Sequence, residues 1–336
     1  MRWTIAKRVA GRMRLAARPA VLPMIAAGLT LGLQGQPALA ATCTSKPNKD
    51  IVIIVDVGHT ATDSGATSAR GISEYDFNLK LAQRVKADLV AAGFQSTHLM
   101  ITEANGQAGL DERADRANAM NADLFLSIHH DSVQAPYLVS WIYQGEPHKY
   151  FDGSTGFSLH VSPENPQFAD TYRWARILAD QLMANGLHSN PIHESSNPIG
   201  AHKPVLDLAR GIYRRDLLVV LSRTEMPAVL LEAGVIVNRD EELALSTPAY
   251  QHAITQAVIQ SILKLCDPDP LYRVTDVSAD DVLNIRAGPN ANLAIVGSIP
   301  ANGRDVRIVG ACSGQWCRID YQGTAGWVNR HYLASE

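Results

Sequence analysis

Two apolar runs that each end in a histidine constrain this chain more than anything else in it. They are Val52-Ile-Ile-Val-Asp-Val-Gly-His59 and Ala122-Asp-Leu-Phe-Leu-Ser-Ile-His129. Short, nearly unbroken runs of this composition suit strands covered on both faces, as in a largely parallel sheet. In an open α/β sheet, ligands and catalytic groups collect at the C-terminal strand edge. Two imidazoles brought to that edge by separate strands suggest a metal site, which a carboxylate should complete.

Residues 51–265 alternate strand and helix signals. Strands are expected at 51–56, 96–101, 123–128, 138–143 and 228–232, and helices at 74–92, 109–121, 170–186 and 249–265. The expected fold class is α/β: an open, twisted, mostly parallel sheet with helices on both faces. Cys266-Asp-Pro-Asp-Pro then stops the last helix, so residues 266–273 read as a linker. Residues 274–336 show short strands broken by Ala-Gly-Pro-Asn, Ala-Asn-Gly and Gln-Gly-Thr-Ala-Gly, with no helical period. That is the pattern of a small all-β barrel, near the lower size limit for a core without cross-links.

The N-terminus reads as an export address. Six basic residues (Arg2, Lys7, Arg8, Arg12, Arg14 and Arg18) precede the apolar run Ala20–Leu33, and Ala38-Leu39-Ala40 is a small-x-small cleavage site. Residues 1–40 are therefore expected to be a signal peptide, followed by a lead over 41–50 and a periplasmic or secreted mature chain. The apolar run falls short of the ~20 residues a membrane-spanning helix needs, so no span is expected after cleavage. Cleavage takes six of 30 basic side chains and none of 33 acidic ones, leaving 24 − 33 = −9. A chain with that balance is a poor general binder of nucleic acid.

Cys43, Cys266, Cys312 and Cys317 are the only cysteines, and an even count in an exported chain favours disulfides. Cys312 and Cys317 flank Ser-Gly-Gln-Trp, a hairpin-like turn, and could pair across it. That leaves Cys43 with Cys266 as a clasp around residues 44–265. A thiol nucleophile is the competing reading, but no cysteine sits beside an evident partner histidine.

Two carboxylates could complete the metal site. Glu74 follows Ser73, a good N-cap, and opens a helix whose expected buried face is Phe77, Leu81, Val85 and Leu89. A first-turn glutamate is usually a surface partner of the helix dipole, but position 74 shares the buried phase. Glu232 closes the apolar run Ala228-Val-Leu-Leu and so reads as a strand end. An isolated carboxylate in such surroundings is costly unless it is paired or bound to a metal, and a structural salt bridge would satisfy it equally well.

These residues resemble the type-3 family of zinc-dependent N-acetylmuramoyl-L-alanine amidases. The motifs stand in order as Asp56-Val-Gly-His59, Gly71-Ile-Ser-Glu74-Tyr-Asp-Phe-Asn78-Leu79, Ala122–His129 and Pro227–Asn238. The resemblance implies zinc held by His59, Glu74 and His129, with Glu232 as the catalytic carboxylate. It also implies peptidoglycan as partner and hydrolysis of the amide between muramic acid and L-alanine. One departure stands out: the family often has Gly-Gly after its first histidine, where this chain has Thr60-Ala61. Residues 274–336 resemble bacterial Src-homology-3-like modules through Val282-Leu-Asn-Ile-Arg286-Ala-Gly-Pro289 and Gly326-Trp-Val328, which implies wall binding. Trp316, Tyr321, Trp327 and Tyr332 are candidates there for either a groove or core. Residues 137–222 could form a substrate groove or a cover over the zinc.

Two other functions fit parts of the pattern: a zinc peptidase of similar fold, and a non-catalytic wall-binding or activator module. The intact quartet His59, Glu74, His129 and Glu232 argues against inactivity. The sequence identifies no activating partner.

Overall fold

The computed structural model describes residues 42–194, 196–267, 271–310 and 312–335. The expected signal peptide lies outside them, as do three residues of the expected linker. In chain order the first part contains β1 (Ile53–Val57), α1 (Glu74–Ala91), β2 (Thr97–Met100), α2 (Gly106–Ala119) and β3 (Leu124–Asp131). Next come β4 (Val139–Tyr143), β5 (Glu146–Tyr150), β6 (Ser158–Val161), α3 (Phe168–Ala184), β7 (Val205–Asp207) and β8 (Ile212–Arg214). It closes with α4 (Val219–Ser222), β9 (Ala228–Val235), α5 (Arg239–Leu245) and α6 (Pro248–Leu265).

Seven strands form one sheet in the order β2-β1-β3-β9-β6-β8-β7. The pairs β2–β1, β1–β3 and β3–β9 are parallel, and β6 turns antiparallel against β9. Alternating residues of β1 enter opposite cores. Ile53, Val55 and Val57 pack under α1, α3 and α6, whereas Ile54 packs with Met100, Phe125, Val220 and Leu230 under α2 and α4. Both faces are thus covered by helices, which is why the run needs no polar alternation. Each such fully buried Val or Ile side chain contributes roughly 1.5–3 kcal/mol.

Helix α1 starts where Ser73 caps it, its hydroxyl accepting from Asp76 N. Its buried face is Glu74, Phe77, Asn78, Leu81, Ala82, Val85 and Leu89. The apolar stripe therefore carries a carboxylate and an amide down to the sheet edge.

Two expectations need correction. The segment 138–143 is a strand, but β4 pairs only with β5 in a separate hairpin. Its exposure alternates, with Trp141 and Tyr143 half-buried and Val139 and Ile142 exposed. One open apolar face cannot sit inside a sheet covered on both sides. Glu232 does not end its strand, because β9 continues to Val235 and Glu232 pairs with both His129 and Ser158. Short strands β6, β7 and β8 escaped sequence reading because they span only three or four residues each.

The last part is all antiparallel: β10 (Leu271–Val274), β11 (Val282–Arg286), β12 (Ile295–Pro300), β13 (Val306–Ile308), β14 (Trp316–Tyr321), β15 (Thr324–Asn329) and β16 (Leu333–Ser335). Leu283, Ile285, Ile299, Val306, Ile319 and Val328 fill its core.

Both disulfides have the expected pairing, Cys43–Cys266 and Cys312–Cys317. The first ties the N-terminal segment to the residue that caps α6. Lys46 reinforces it by pairing with Asp123 at 2.7 Å, and Asp123 also accepts from Val52 N. Sequence separations of 223 and 5 residues make the clasp worth about 5 kcal/mol and the short bridge about 2 kcal/mol in a chain-entropy account. Removing Cys43 and Cys266 together should therefore lower unfolding free energy more than removing Cys312 and Cys317. Denaturant titration of the two double-alanine variants checks the order, and equal losses would contradict it.

Candidate metal centre

Three adjacent parallel strands are in register here, with β3 and β9 running past the end of β1 to Asp131 and Val235. Val57 of β1 is in register with Ile128 of β3, and His129 with Glu232 of β9. In-register neighbours on adjacent strands project to the same sheet face, so His129 and Glu232 stand side by side. His59 lies just beyond β1 in the left-handed backbone region, φ 64°, a conformation a branched or bulky residue rarely adopts. Its carbonyl accepts from Arg113 of α2, whose Nε also approaches Asp56 at 3.5 Å. Asp56 in turn accepts from Ser127 of β3 at 2.7 Å. The turn that delivers His59 is pinned from two directions.

Two glycines are required by close approach. A Cβ at Gly58 would sit 2.3 Å from His129 Nε2. One at Gly65, where φ is +74°, would sit 2.4 Å from Glu74 Oε2 and 2.7 Å from His59 Nε2. The loop following His59 thus closes directly over the carboxylate.

Glu74 bridges the two histidines, with Oε2 3.1 Å from His59 Nε2 and Oε1 3.0 Å from His129 Nδ1. Ligand atoms of the three residues all lie within 4.8 Å of one another. Ala66 N and Asn78 Nδ2 donate to Glu74 at 3.0 and 3.3 Å. Asn78 also donates to Gly58 O and meets His130 Nδ1 at 2.7 Å. Burial pushes the Glu74 carboxyl up, but hydrogen bonds from His129 and His59 outweigh it and hold it well below its usual range. Burial pulls His130 down to about 3, so that histidine is a neutral packing residue.

Glu232 differs in kind. It is partly buried, yet its Oε2 is shielded from solvent and has no hydrogen-bond partner. Burial, then the charges of Asp131 and Glu74, raise its carboxyl well above the usual range, with Arg215 and Lys203 opposing. A buried carboxyl raised in this way holds a proton more tightly than a solvated one does.

A cavity of about 440 Å3 joins these groups, lined by His59, Glu74, His129, Glu232, Arg215 and Leu218 among others. A larger one, about 520 Å3, is lined by Arg173, Arg176 and Arg210 but by no histidine or glutamate among the described residues. Volume alone does not mark the chemistry. Among the described residues of 137–222, only Arg215, Leu218 and Val220 line the smaller cavity. The aromatic hairpin of that stretch docks elsewhere: Trp141 Nε1 donates to Ala69 O, and Arg239 stacks 3.8 Å over Tyr150. It buttresses the loop that carries Gly65.

All four residues expected in the site come together. Sequence reading missed the residues that hold them. Arg113 had a legible signal, a charge in the buried phase of α2 with Gly109, Ala114 and Ala117. His193, which approaches Asp131 at 2.7 Å outside hydrogen-bond geometry, lies in a loop and had none. Asn238, last in the fourth motif, caps α5 and anchors the backbone at Asp152 and Ser154. In the barrel, Trp316 and Tyr332 line a cavity of about 390 Å3 with Asp276, Asp281 and Arg286, and both Tyr321 and Tyr332 pack against the core.

A doubly covered α/β sheet with two histidines and a glutamate converging at its strand edge defines a class of chain able to hold one divalent metal there. The sequence matches the N-acetylmuramoyl-L-alanine amidase family over residues 53–264, and the chain belongs to that family. Residues 281–334 match the bacterial SH3 domain. N-acetylmuramoyl-L-alanine amidase AmiA of Salmonella typhimurium is 26% identical over 230 residues, covering 66% of this chain and 78% of that protein. The probable cell wall amidase LytH of Staphylococcus saprophyticus is 28% identical over 220 residues, 65% of this chain and 59% of that protein. The crystal structure of Ami1 from Mycobacterium smegmatis has a TM-score of 0.49 at 19% identity, covering 66% of this chain and 99% of that one.

Proposed function

We propose that this chain is an exported, zinc-dependent hydrolase that cleaves the amide between the lactyl group of muramic acid and L-alanine in peptidoglycan. The carrying observation is a His59–Glu74–His129 cluster beside a shielded, unpartnered Glu232. The donor set fits zinc: two imidazoles and one carboxylate are the ligands of catalytic zinc sites that keep an open position. Bound there, zinc would supply a Lewis acid that acidifies water and polarises a carbonyl.

The chain's own residues supply the rest. Asn78 and the Ala66 amide orient the Glu74 carboxylate, which places its charge between both rings. Arg113 fixes the His59 turn through that residue's carbonyl. Glu232 takes a proton from water during attack and returns it to the departing L-alanine amine. Its raised affinity for a proton suits both steps.

Family membership and relatives named as cell wall amidases support an extracytoplasmic, wall-directed role. No helix among the described residues is long and apolar enough to cross a membrane. The domain boundaries we adopt are 41–50 for the lead, 51–265 for catalysis, 266–273 for the linker and 274–336 for wall binding.

Digestion of purified peptidoglycan should release a new L-alanine amine terminus. A different new terminus would indicate a peptidase, and none would indicate a binding module. Glu232→Gln should lose ~10²–10⁴ in rate while keeping about one zinc per chain, and Glu74→Gln should lose the metal. An active Glu232→Gln, or one that is metal-free while Glu74→Gln keeps zinc, would contradict these roles. Deleting residues 274–336 should weaken pelleting with insoluble sacculi more than turnover of soluble fragments. Equal pelleting of both forms would count against a targeting barrel.

A further inference from the structure

Among the described residues, Arg215 is the one cation lining the candidate cavity whose side chain has no protein partner. Arg113, which lines the same cavity, is engaged by His59 O and Asp56. The adjacent Arg214 is held by Asp216 at 2.6 Å. The Arg215 guanidinium makes no hydrogen bond or ion pair with any described residue, although it lines the cavity together with Glu232. Its backbone is fixed, because Arg215 N donates to Val161 O at 2.9 Å. The residue is partly buried, so the free fork is not a freely solvated surface charge.

Its opposite charge is close enough to matter. The positive charge of Arg215 opposes neutralisation of the Glu232 carboxyl, yet the two do not close into a pair. Lys203 adds to the same positive field. Leu110, Leu218, Val220 and Leu230 add apolar lining to the same cavity. The combination suits a ligand with a small apolar group next to a carboxylate. A planar guanidinium fork matches a carboxylate through two parallel hydrogen bonds, which a lysine cannot reproduce.

We propose that Arg215 forms a carboxylate-binding subsite of the candidate site, receiving the acidic residue that follows L-alanine in the stem peptide while the apolar lining takes the alanine methyl group. This rests on the amidase reading above, which puts a muramoyl peptide in the cavity. The subsite makes the enzyme discriminate between stem peptides whose second residue carries a free α-carboxylate and those in which it is amidated. Arg215 touches substrate away from the reacting bond, so its contribution falls on binding rather than on the chemical step.

The test uses the full chain and two soluble muramoyl peptides that differ only in that carboxylate or carboxamide. Wild type should favour the carboxylate form through KM, about 10- to 100-fold, the range for a lost charged hydrogen bond. In R215Q the ratio of kcat/KM between the two peptides should fall toward one, and in R215K it should be intermediate. Calorimetric binding of both peptides to the same variants gives a second reading that needs no turnover. A ratio near one in wild type, the same ratio in R215Q, or a loss confined to kcat on both peptides would overturn the subsite. Release of no L-alanine amine from either peptide by wild type would instead defeat the amidase reading. Calorimetry would then still decide whether Arg215 selects the carboxylate.

Discussion

The carboxylate of Glu74, held between two imidazoles at the edge of three parallel strands, is the interaction on which the rest of the site depends. Each oxygen meets one ring, at 3.1 and 3.0 Å. An ionised carboxylate this buried would be very costly in isolation. The backbone amide of Ala66, the Asn78 side chain and the two histidines offset that cost and keep it charged. Geometry follows from this requirement. The loop after His59 must pass so close that only glycine fits at position 65, and the His129 ring lies so close over Gly58 that a side chain there would displace it.

Glu232 answers to the opposite demand. It shares the sheet face of His129 but receives no hydrogen bond on its shielded oxygen. Two carboxyls in one cavity are thereby driven apart in proton affinity, one held low and one raised. Such divergence suits the proposed division of labour, in which Glu74 holds the metal and Glu232 exchanges the proton. Arg215 and Lys203 moderate the second group without closing on it.

Much of this was legible in the sequence because it is local. The runs ending at His59 and His129 specify buried strands, and the phase of Glu74 with Phe77 and Leu81 points it at the sheet edge. Helix limits agree to within a few residues, because caps such as Ser73 and Thr247 are side-chain signals. What stayed hidden is non-local. The pairing of Glu232 with His129 depends on strand order, which no short-range pattern encodes. The outward turn of β4 depends on which of its faces finds a partner. Arg215 sits on a segment after a three-residue strand, and nothing in its neighbours announces that it faces the cavity.

Anomalous diffraction at the zinc edge from crystals of the zinc-loaded protein tests the metal site most directly. One peak is expected ~2.0–2.1 Å from a ring nitrogen of His59 and of His129, and ~2.0–2.2 Å from a Glu74 oxygen, with Glu232 beyond bonding distance. A peak bonded to Glu232 in place of Glu74, or a zinc bound away from these residues, would contradict that arrangement.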